Sequence, residues 1–457
     1  MNIPKTLWNL YRLKQNERRT PSQLRALQQK KLRRLLYYAW DHSAYYREAF
    51  AAAGITRAAL EDTPLEQFPT LDKATLFRQF DRLITVPELR QEELRRFDAE
   101  EAPDRKPFLG KYHVVHSSGS TGTPGYFVYD RAAWETMLSG ILRGALWGMP
   151  AAQILRLLAG KPRILYIAAT DGRYGGAMAV GDGIDGVGAR SLYLDIKTPL
   201  SQWVDQVKAF RPNFIIGYPS AMKILAELAQ QGEVSLEIFR MVSCGEPLGA
   251  GLRGFLEETF HTQVVNFYGA SESLALGVES DPEEGMLLFD DLNILEAGED
   301  GLYLTCLYNF AQPLIRYRLS DRIVIRPPEE GIRFPFFRAV GLLGRSEDVL
   351  WFKDAFGNRE FLHPLAVEGF CVPGLLDYQF SQIGPDSFQM LAEVSGEASQ
   401  EYVRREMGEQ MGRILAEKGM EYVDFSLHFV PEILPDPRTG KKRLVGKTME
   451  NFGRCAE

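Results

Sequence analysis

Residues 162–268 alternate short apolar runs with helical stretches, and this alternation restricts the possible folds more than any other feature of the sequence. Strands that are joined by helices pair in parallel, and a parallel sheet is covered by helices on both faces. We therefore predict an α/β fold with its ligands at the carboxyl ends of the strands. The predicted strands are residues 162–169, 213–217, 238–242 and 263–268, and the predicted helices are residues 220–231, with Ser220 as the N-cap, and 248–260.

The sequence on either side of this segment predicts smaller elements. Residues 21–40 repeat leucine at helical spacing and predict an amphipathic helix, whereas residues 54–110 predict short helices and loops. Residues 301–307 and 322–326 predict short antiparallel strands. A boundary is expected near Gly344. The predicted domains are residues 1–343 and a small α+β domain of residues 344–457, which contains a helix near 400–418 and a strand at 425–430.

Composition excludes several classes of protein. The chain has 457 residues, 45% of them hydrophobic, which is enough to bury a large core without disulfides. Its net charge of -7 argues against a nucleic-acid-binding protein, because phosphate backbones recruit clustered cations. The four cysteines are too scattered for a disulfide framework or a metal knuckle. No signal peptide and no apolar run of about 20 residues is found, so we expect a cytoplasmic protein without a transmembrane segment.

Positive charge is concentrated at the amino terminus. Residues 1–34 contain ten Lys and Arg side chains and one acid, Glu17. A solvated helix face explains such a run, and contact with an anionic membrane or an anionic partner is the alternative.

A serine- and glycine-rich octet follows the strand-like residues 112–116. Residues 117–124 read Ser-Ser-Gly-Ser-Thr-Gly-Thr-Pro. Glycines allow the backbone to approach a ligand closely, and successive N–H groups in such a turn form a concave anion site. The Lys-Ser/Thr pair that closes a Walker loop is missing. The octet therefore predicts a phosphate contact, with a flexible linker as the alternative.

The octet resembles the phosphate-loop signature of the acyl-adenylate-forming superfamily, which includes acyl-CoA synthetases, luciferases and the adenylation domains of peptide synthetases. Further segments resemble the phenylacetate–coenzyme A ligase-like branch and its capsule-biosynthesis relatives. They occur in the order of that branch along nearly the whole chain. The segments are residues 45–48, 54–55, 68–73, 212–220, 245–247, 268–272, 317–321, 344–348 and 439–441.

The resemblance implies a role for each matched residue in binding ATP. Tyr268 would stack on the adenine, with Gly269 beside it, and Asp321 would accept hydrogen bonds from the ribose hydroxyls with help from Arg345. The β- and γ-phosphates would be held by Ser117, Ser118, Gly119, Ser120, Thr121 and Gly122. The adenine pocket would be lined by Gly245, Glu246 and Pro247.

The remaining roles concern the metal, the acid and the catalytic lysine. Glu272 would hold Mg²⁺, and Lys441 would act as a point charge on the α-phosphate and the acyl oxygen. Lys442 is the alternative lysine. Candidates for the acyl pocket are Tyr218, Phe267 and Ala270. Simpler interpretations stay open: a helix-start acid for Glu272, a surface ion pair for Asp321, a solvated basic turn for Lys441, and core packing for the aromatic residues.

The resemblance implies an α/β fold with a large adenylate-forming domain, built of parallel-sheet subdomains plus a small β-barrel-like part, and a small mobile C-terminal domain. It also implies an ATP-dependent ligase that activates a carboxylic acid, in this branch an aryl acid, as acyl-AMP with release of pyrophosphate. Coenzyme A is the favoured acceptor; an amine or a carrier protein, and a non-catalytic adenylate-binding protein, are the alternatives. Relatives in this branch often dimerise, so a homodimer stays open, although the sequence does not determine the oligomeric state.

Two departures from the family pattern bear on the second half-reaction. Glu347 stands at the hinge, where the family usually has Asp. Residues 350–358 are bulky where coenzyme A ligases carry a glycine-bearing loop. These departures keep the acceptor open and leave the adenylation residues untouched.

Overall fold

The computed structural model describes most of the chain. The described residues are 3–99, 106–116, 125–168, 175–184, 189–195, 200–298, 301–319, 321–329, 333–345, 350–353, 355, 359–362, 372, 375–394, 400–417, 419–434 and 445.

The helices, in chain order, are α1 (Ile3–Asn16), α2 (Pro21–His42), α3 (Ala44–Ala52), α4 (Lys73–Arg78), α5 (Phe80–Leu83), α6 (Gln91–Ala99), α7 (Arg131–Ala145), α8 (Ala151–Ala159), α9 (Gly175–Ile184), α10 (Leu200–Phe210), α11 (Pro219–Gln230), α12 (Ala250–Phe260) and α13 (Gln400–Glu417). Two 3₁₀ turns lie at Arg57–Ala59 and Leu65–Gln67. The prediction of a helix at 21–40 and of short helices within 54–110 is confirmed.

The strands, in chain order, are β1 (His113–His116), β2 (Tyr126–Tyr129), β3 (Arg163–Ala168), β4 (Arg190–Asp195), β5 (Phe214–Gly217), β6 (Arg240–Cys244), β7 (Val264–Ala270), β8 (Ser273–Glu279), β9 (Met286–Leu288), β10 (Asn293–Gly298), β11 (Gly301–Cys306), β12 (Tyr317–Leu319), β13 (Asp321–Arg326), β14 (Arg338–Arg345), β15 (Leu350–Lys353), β16 (Arg359–Leu362), β17 (Leu375–Gly384), β18 (Ser387–Val394) and β19 (Asp424–Phe429).

A nine-stranded mixed sheet, in the order β13-β14-β9-β8-β7-β6-β5-β3-β4, forms the centre of the molecule. The strands from β7 to β4 pair in parallel, as the alternation of apolar runs and helices predicts. The strands from β7 to β13 pair antiparallel. One face buries residues of α10, α11 and α12, and α7 packs into the core on the other. The predicted α/β class is confirmed.

The start of α11 differs from the prediction. Tyr218, not Ser220, is the N-cap, and its side chain makes no capping hydrogen bond. Pro219 occupies the first helical position, where its fixed φ suits a helix and its missing N–H is no loss. The proline therefore begins the helix one residue before the expected polar cap.

The predicted antiparallel strands at 301–307 and 322–326 are confirmed as β11 and β13, but they belong to different sheets. β11 lies between β10 and β12 in a three-stranded sheet, whereas β13 is the end strand of the nine-stranded sheet. β14 runs to Arg345 and so contains Gly344, where the sequence predicts a domain boundary. That boundary stays a prediction.

The described residues after 349 form what we call the C-terminal unit, which has a core of its own. The unit contains the hairpin β15–β16 and the sheet β17-β18-β19, in which β18 and β19 are parallel and α13 connects them. Its core includes Phe380, Phe388 and Met407, all fully buried. The predicted helix near 400–418 and strand at 425–430 are confirmed by α13 and β19. A buried ion pair between Lys223 of α11 and Glu393 of β18 joins the unit to the rest of the chain.

The amino-terminal helices are fixed by a second buried ion pair. Arg143 of α7 and Asp291 are both fully buried, and two guanidinium nitrogens donate to the carboxylate at 2.8 and 2.9 Å. Asn16 donates to the same carboxylate at 2.8 Å, and Lys31 donates to the Asp291 carbonyl. Both α1 and α2 are therefore attached to the core at one point. Within the described part of the chain, no helix is long and apolar enough to cross a membrane.

Candidate active site

The ends of three parallel strands lie side by side and place the matched residues along one edge of the sheet. Gly217 at the end of β5 is opposite Ser243 of β6, and Cys244 of β6 is opposite Phe267 of β7. Tyr218, Gly245 and Tyr268 follow these positions directly. We call this row the carboxyl edge, and it is the part of a parallel sheet where ligands bind.

Gly245 at the carboxyl edge is a position that only glycine fits. Its φ is +80°, and a Cβ atom would lie 2.6 Å from Cε1 of Tyr218. Another residue would meet both the backbone strain of a positive φ and a clash with the ring. The segment that the resemblance assigns to the adenine therefore lies directly against Tyr218, which is 7% exposed.

Tyr268 and Asp321, both assigned to the nucleoside, are hydrogen-bonded to each other. The Tyr268 hydroxyl donates to Asp321 Oδ2 at 2.8 Å. In the ladder between β13 and β14, Asp321 is opposite Arg345, the residue expected to assist it. The fold thus brings together residues that are far apart in the sequence. One carboxylate oxygen of Asp321 is engaged by Tyr268, which fixes the direction in which the other one points.

Glu272 lies in the tight turn between β7 and β8. No helix begins there, so the interpretation of Glu272 as a helix-start acid is wrong. Burial and a hydrogen bond from Tyr317 to Glu272 raise the pKa of the Tyr317 hydroxyl, so the tyrosine stays protonated and donates to the carboxylate. Tyr317 is 2% exposed, and its buried position holds Glu272 in place.

The same turn is attached to the strand that precedes the octet. The Ser271 hydroxyl donates to the carbonyl of His116 at 3.4 Å, and the Tyr129 hydroxyl donates to the carbonyl of Ser271 at 2.8 Å. In the β1–β2 ladder His116 is opposite Tyr126. The chain therefore enters and leaves the octet beside the turn that carries Glu272.

The other candidates at the end of β7 have packing contacts. Phe267 packs on α7, because a Cβ atom at Gly144 would lie 2.3 Å from its ring. Phe267 belongs to the core that contains α7, whereas Tyr218 belongs to the core on the other face of the sheet. Gly269 has no room for a side chain, because its Cβ would lie 2.5 Å from the carbonyl oxygen of Leu274. Ala270 is half-buried at the end of the strand.

Several predicted residues lie outside the described residues. They are Ser117, Ser118, Gly119, Ser120, Thr121, Gly122, Glu347, Lys441 and Lys442, together with the side chain of Arg345. Of the adenine segment, Glu246 is half-buried and Pro247 is exposed. The roles assigned to all of these residues stay predictions.

The environment of Glu272 fits a magnesium ion that is shared with a substrate. Among the described residues, no group of three or more His, Cys, Asp or Glu side chains is placed to hold a metal ion. Mg²⁺ is commonly bound by one or two carboxylates together with substrate phosphates, and it keeps several waters. Glu272 is half-buried in the turn that contacts His116, and it can supply such a carboxylate.

His113 of β1 lies close to this region but has a structural environment. Its ring stacks on Trp134 with the centroids 4.3 Å apart. Asp182 Oδ2 lies 3.3 Å from His113 Nδ1 and accepts a hydrogen bond from Trp134 Nε1 at 2.7 Å. Burial lowers the pKa of His113 to about 4, and this outweighs the charge of the Glu135 carboxylate, which raises the pKa. His113 is therefore neutral near pH 7.

Sequence reasoning missed Tyr317 and Tyr129 as residues of the site. The sequence signal that could have identified Tyr317 is its position as the first residue of the matched segment 317–321. Tyr317 also pairs with Leu71, in the matched segment 68–73, and Leu71 N donates to Arg316 O at 3.0 Å. Two segments that match the family pattern thus meet behind Glu272.

Comparisons with known proteins agree with this geometry. Residues 185–288 match the family model described as AMP-binding enzyme. The fold is similar to the crystal structure of a 2-hydroxyisobutyryl-CoA ligase in the postadenylation state in complex with R3-HIB-AMP. The TM-score is 0.67 at 20% identity, over 92% of this chain and 88% of that chain. The chain is therefore similar to the AMP-binding superfamily of adenylate-forming enzymes.

Over most of its length the chain is a distant homologue of the phenylacetate–coenzyme A ligases. It is 26% identical to the phenylacetate-coenzyme A ligase of Aromatoleum evansii over 360 residues, 73% of each chain. It is 25% identical to the phenylacetate-coenzyme A ligase of Thermus thermophilus over 460 residues, 94% of this chain and 90% of the relative.

Proposed function

We propose that this ligase activates a carboxylic acid, of the aryl class, with Mg·ATP and then transfers the acyl group to coenzyme A. In the first step a carboxylate oxygen bonds to the α-phosphorus and the bond to pyrophosphate breaks. In the second step the thiol sulfur bonds to the acyl carbon, the thiol proton is lost and AMP leaves. The observation that carries the proposal is the Tyr268–Asp321 hydrogen bond beside the Tyr317–Glu272 pair at the carboxyl edge.

The first step brings two anions together, so the site must neutralise charge and hold the reactants in line. Asp321 would accept hydrogen bonds from the ribose, and Glu272 would hold Mg²⁺, which neutralises phosphate charge when bound. Residues 117–122 would hold the phosphates that leave. Gly245 and Tyr218 would form the wall between the adenine and the acyl group, because their atoms are in contact.

The remaining positive charge would come from Lys441. We propose that residues 344–457 form the small domain that carries this lysine and that Glu347 is the hinge. The core of the C-terminal unit, which contains only residues after 349, supports this division. A lysine on a separate domain could leave the phosphate after adenylation and clear the path for the thiol.

The test of adenylation is the exchange of labelled pyrophosphate into ATP, measured with a panel of aryl and alkyl acids. We expect exchange with a subset of aryl acids and a fall of roughly 100-fold in Lys441→Ala, the size of the effect when one group that stabilises developing charge is lost. Lys442→Ala is the matched control and should keep most of the activity. Absence of exchange with every acid, together with absence of ATP binding in calorimetry, would refute the proposal.

An amine or a carrier-protein thiol is a second candidate acceptor. It is favoured by residues 350–353, Leu-Trp-Phe-Lys, which are bulky where the family resemblance leads us to expect a glycine-bearing loop. Leu350 and Phe352 are buried in the core of the C-terminal unit, so this strand has a packing function. Mass spectrometry of the products formed with coenzyme A, amines and a carrier protein distinguishes the acceptors. ATP binding without pyrophosphate release for any acid would instead indicate a non-catalytic adenylate-binding protein.

A further inference from the structure

Helix α1 turns an apolar, aromatic face toward solvent. Leu7, Trp8 and Tyr11 are 57%, 59% and 55% exposed. Their spacing of one and four residues places them on one side of the helix, and the Trp8 and Tyr11 rings stack with centroids 5.7 Å apart. A surface helix of a globular protein normally turns its apolar stripe inward. We call Leu7, Trp8 and Tyr11 the aromatic face of α1.

The aromatic face is outward because the opposite side of α1 is attached to the protein. Lys5 forms an ion pair with the buried carboxylate of Glu135 at 2.7 Å, and Asn16 donates to Asp291 at 2.8 Å. Leu13 is 5% exposed within the main core. Contacts at the first and last turns hold the helix in this orientation. The exposed face is therefore built into the fold.

Cations border the aromatic face. Lys14 follows Tyr11 by three residues, and Arg12 follows Trp8 by four. At this spacing each cation is the neighbour of an aromatic side chain on the helix surface, one turn closer to the end of the helix. Arg12 and Arg18 are exposed. The first 34 residues contain ten basic side chains and one acid, although the whole chain carries a net charge of -7. The part of the chain that carries the aromatic face is thus net positive, whereas the whole chain is net negative.

We propose that α1 docks the protein on a membrane surface that contains anionic phospholipids. Tryptophan and tyrosine prefer the level of the lipid headgroups, and lysine and arginine beside them are attracted to an anionic leaflet. The helix would lie in the plane of the interface and would not cross it. A second copy of the chain is a poorer occupant, because two such faces would bring their cations together. This proposal is independent of the acyl acceptor and of the reaction.

The test is flotation of the full-length protein with phosphatidylcholine vesicles that contain about one-third phosphatidylserine, against vesicles of pure phosphatidylcholine. Binding to the anionic vesicles is expected, and it should weaken at high salt, where the Debye length falls to about 3 Å. Trp8→Ser combined with Tyr11→Ser should lower binding by about tenfold or more. Arg12→Glu combined with Arg18→Glu should lower it by about fivefold for each cation.

Matched controls distinguish binding by the aromatic face from nonspecific adsorption to vesicles. Leu155, on α8, is 67% exposed, and Leu155→Ser should leave vesicle binding unchanged. Arg413→Glu on α13 is the corresponding control for charge. Thermal melting checks that the variants fold. If the aromatic variant does not fold, the charge-reversal pair still tests the proposal. Trp8 emission should shift to the blue on the anionic vesicles, and Trp8→Phe should remove that shift.

Three outcomes would overturn the proposal. The first is no binding of the wild-type protein to anionic vesicles. The second is equal, salt-independent binding to both kinds of vesicle. The third is light scattering that shows a dimer which Trp8→Ser dissociates, with no vesicle binding, since the aromatic face would then be an interface between copies.

Discussion

The carboxyl edge of the nine-stranded sheet and the C-terminal unit hold their parts of the proposed site in different ways. At the carboxyl edge, Tyr268 is bonded to Asp321, and Glu272 to Tyr317. The C-terminal unit has a separate core and is joined to α11 by the ion pair between Lys223 and Glu393. The residues proposed for nucleotide and metal are thus positioned by the fold itself, whereas the role proposed for Lys441 would depend on how a second unit docks.

This difference has a consequence for mutagenesis. A substitution at the carboxyl edge changes a preformed arrangement, so it should directly lower the rate of adenylation. A substitution between the two units changes docking, so its effect should appear in stability and in the balance of the two half-reactions. Four substitutions, in order of their expected effect on pyrophosphate exchange, can sharpen or break this distinction.

Glu272→Gln should have the largest effect at the carboxyl edge. The amide keeps the shape of the side chain but loses the charge that would hold Mg²⁺, so exchange should fall by roughly 100-fold. The concentration of Mg²⁺ that gives half-maximal rate should rise. Glu283→Gln, at an exposed position, is the control. An unchanged response to Mg²⁺ would remove Glu272 from the metal site.

Tyr317→Phe should reduce exchange by about tenfold, because a hydrogen bond to a charged group contributes about 1.5 kcal/mol. The ring remains, so the core should stay packed, and thermal melting tests this. Tyr303→Phe is the control, since Tyr303 lies outside the site and packs under Arg316. If Tyr317→Phe behaves like the control, then Tyr317 does not hold Glu272 during the reaction.

Tyr268→Phe should act mainly on the affinity for ATP. It removes the hydrogen bond to Asp321 and leaves the ring to stack on the base, which corresponds to a loss of about 1 kcal/mol or a roughly fivefold higher KM for ATP. The KM for the acid should not change. A rise in both constants would show that Tyr268 orders the whole edge and does not act on the nucleoside alone.

Lys223→Met should have the smallest effect on exchange, less than about threefold, because Lys223 lies outside the carboxyl edge. It leaves the buried carboxylate of Glu393 without its ion-pair partner, so the C-terminal unit should be destabilised by about 3 kcal/mol. Limited proteolysis of the unit measures this. Lys223→Met combined with Glu393→Met should recover part of the stability. A large loss of exchange in the single variant would mean that docking at this pair is part of adenylation, and the distinction between the two regions would fail.

Four of the five strands in the parallel half of the sheet could be predicted because their evidence is local, whereas β4 was not predicted. Apolar runs and helical spacing in residues 162–268 predict β3, β5, β6 and β7, and strand order then places the matched segments at one edge. The cap of α11 could not be predicted from polar preference alone, because Pro219 determines where the helix begins.

The partners of the site residues could not be predicted in the same way. Tyr317 and Glu272 lie 45 residues apart, and Asp321 and Tyr268 lie 53 apart, so no periodicity relates them. The ring of Phe267 fits into the core because Gly144 of α7 has no side chain where the ring lies. Such contacts follow from tertiary packing, and local patterns do not encode them.

The β1–β2 ladder has an entropic consequence. His116 and Tyr126 face each other, so folding of the hairpin already brings both ends of the serine- and glycine-rich segment together. The chain entropy of closing a loop is then lost during folding and not when a ligand arrives. A phosphate that binds between those ends does not bear that entropic cost, which leaves more of the interaction energy for affinity.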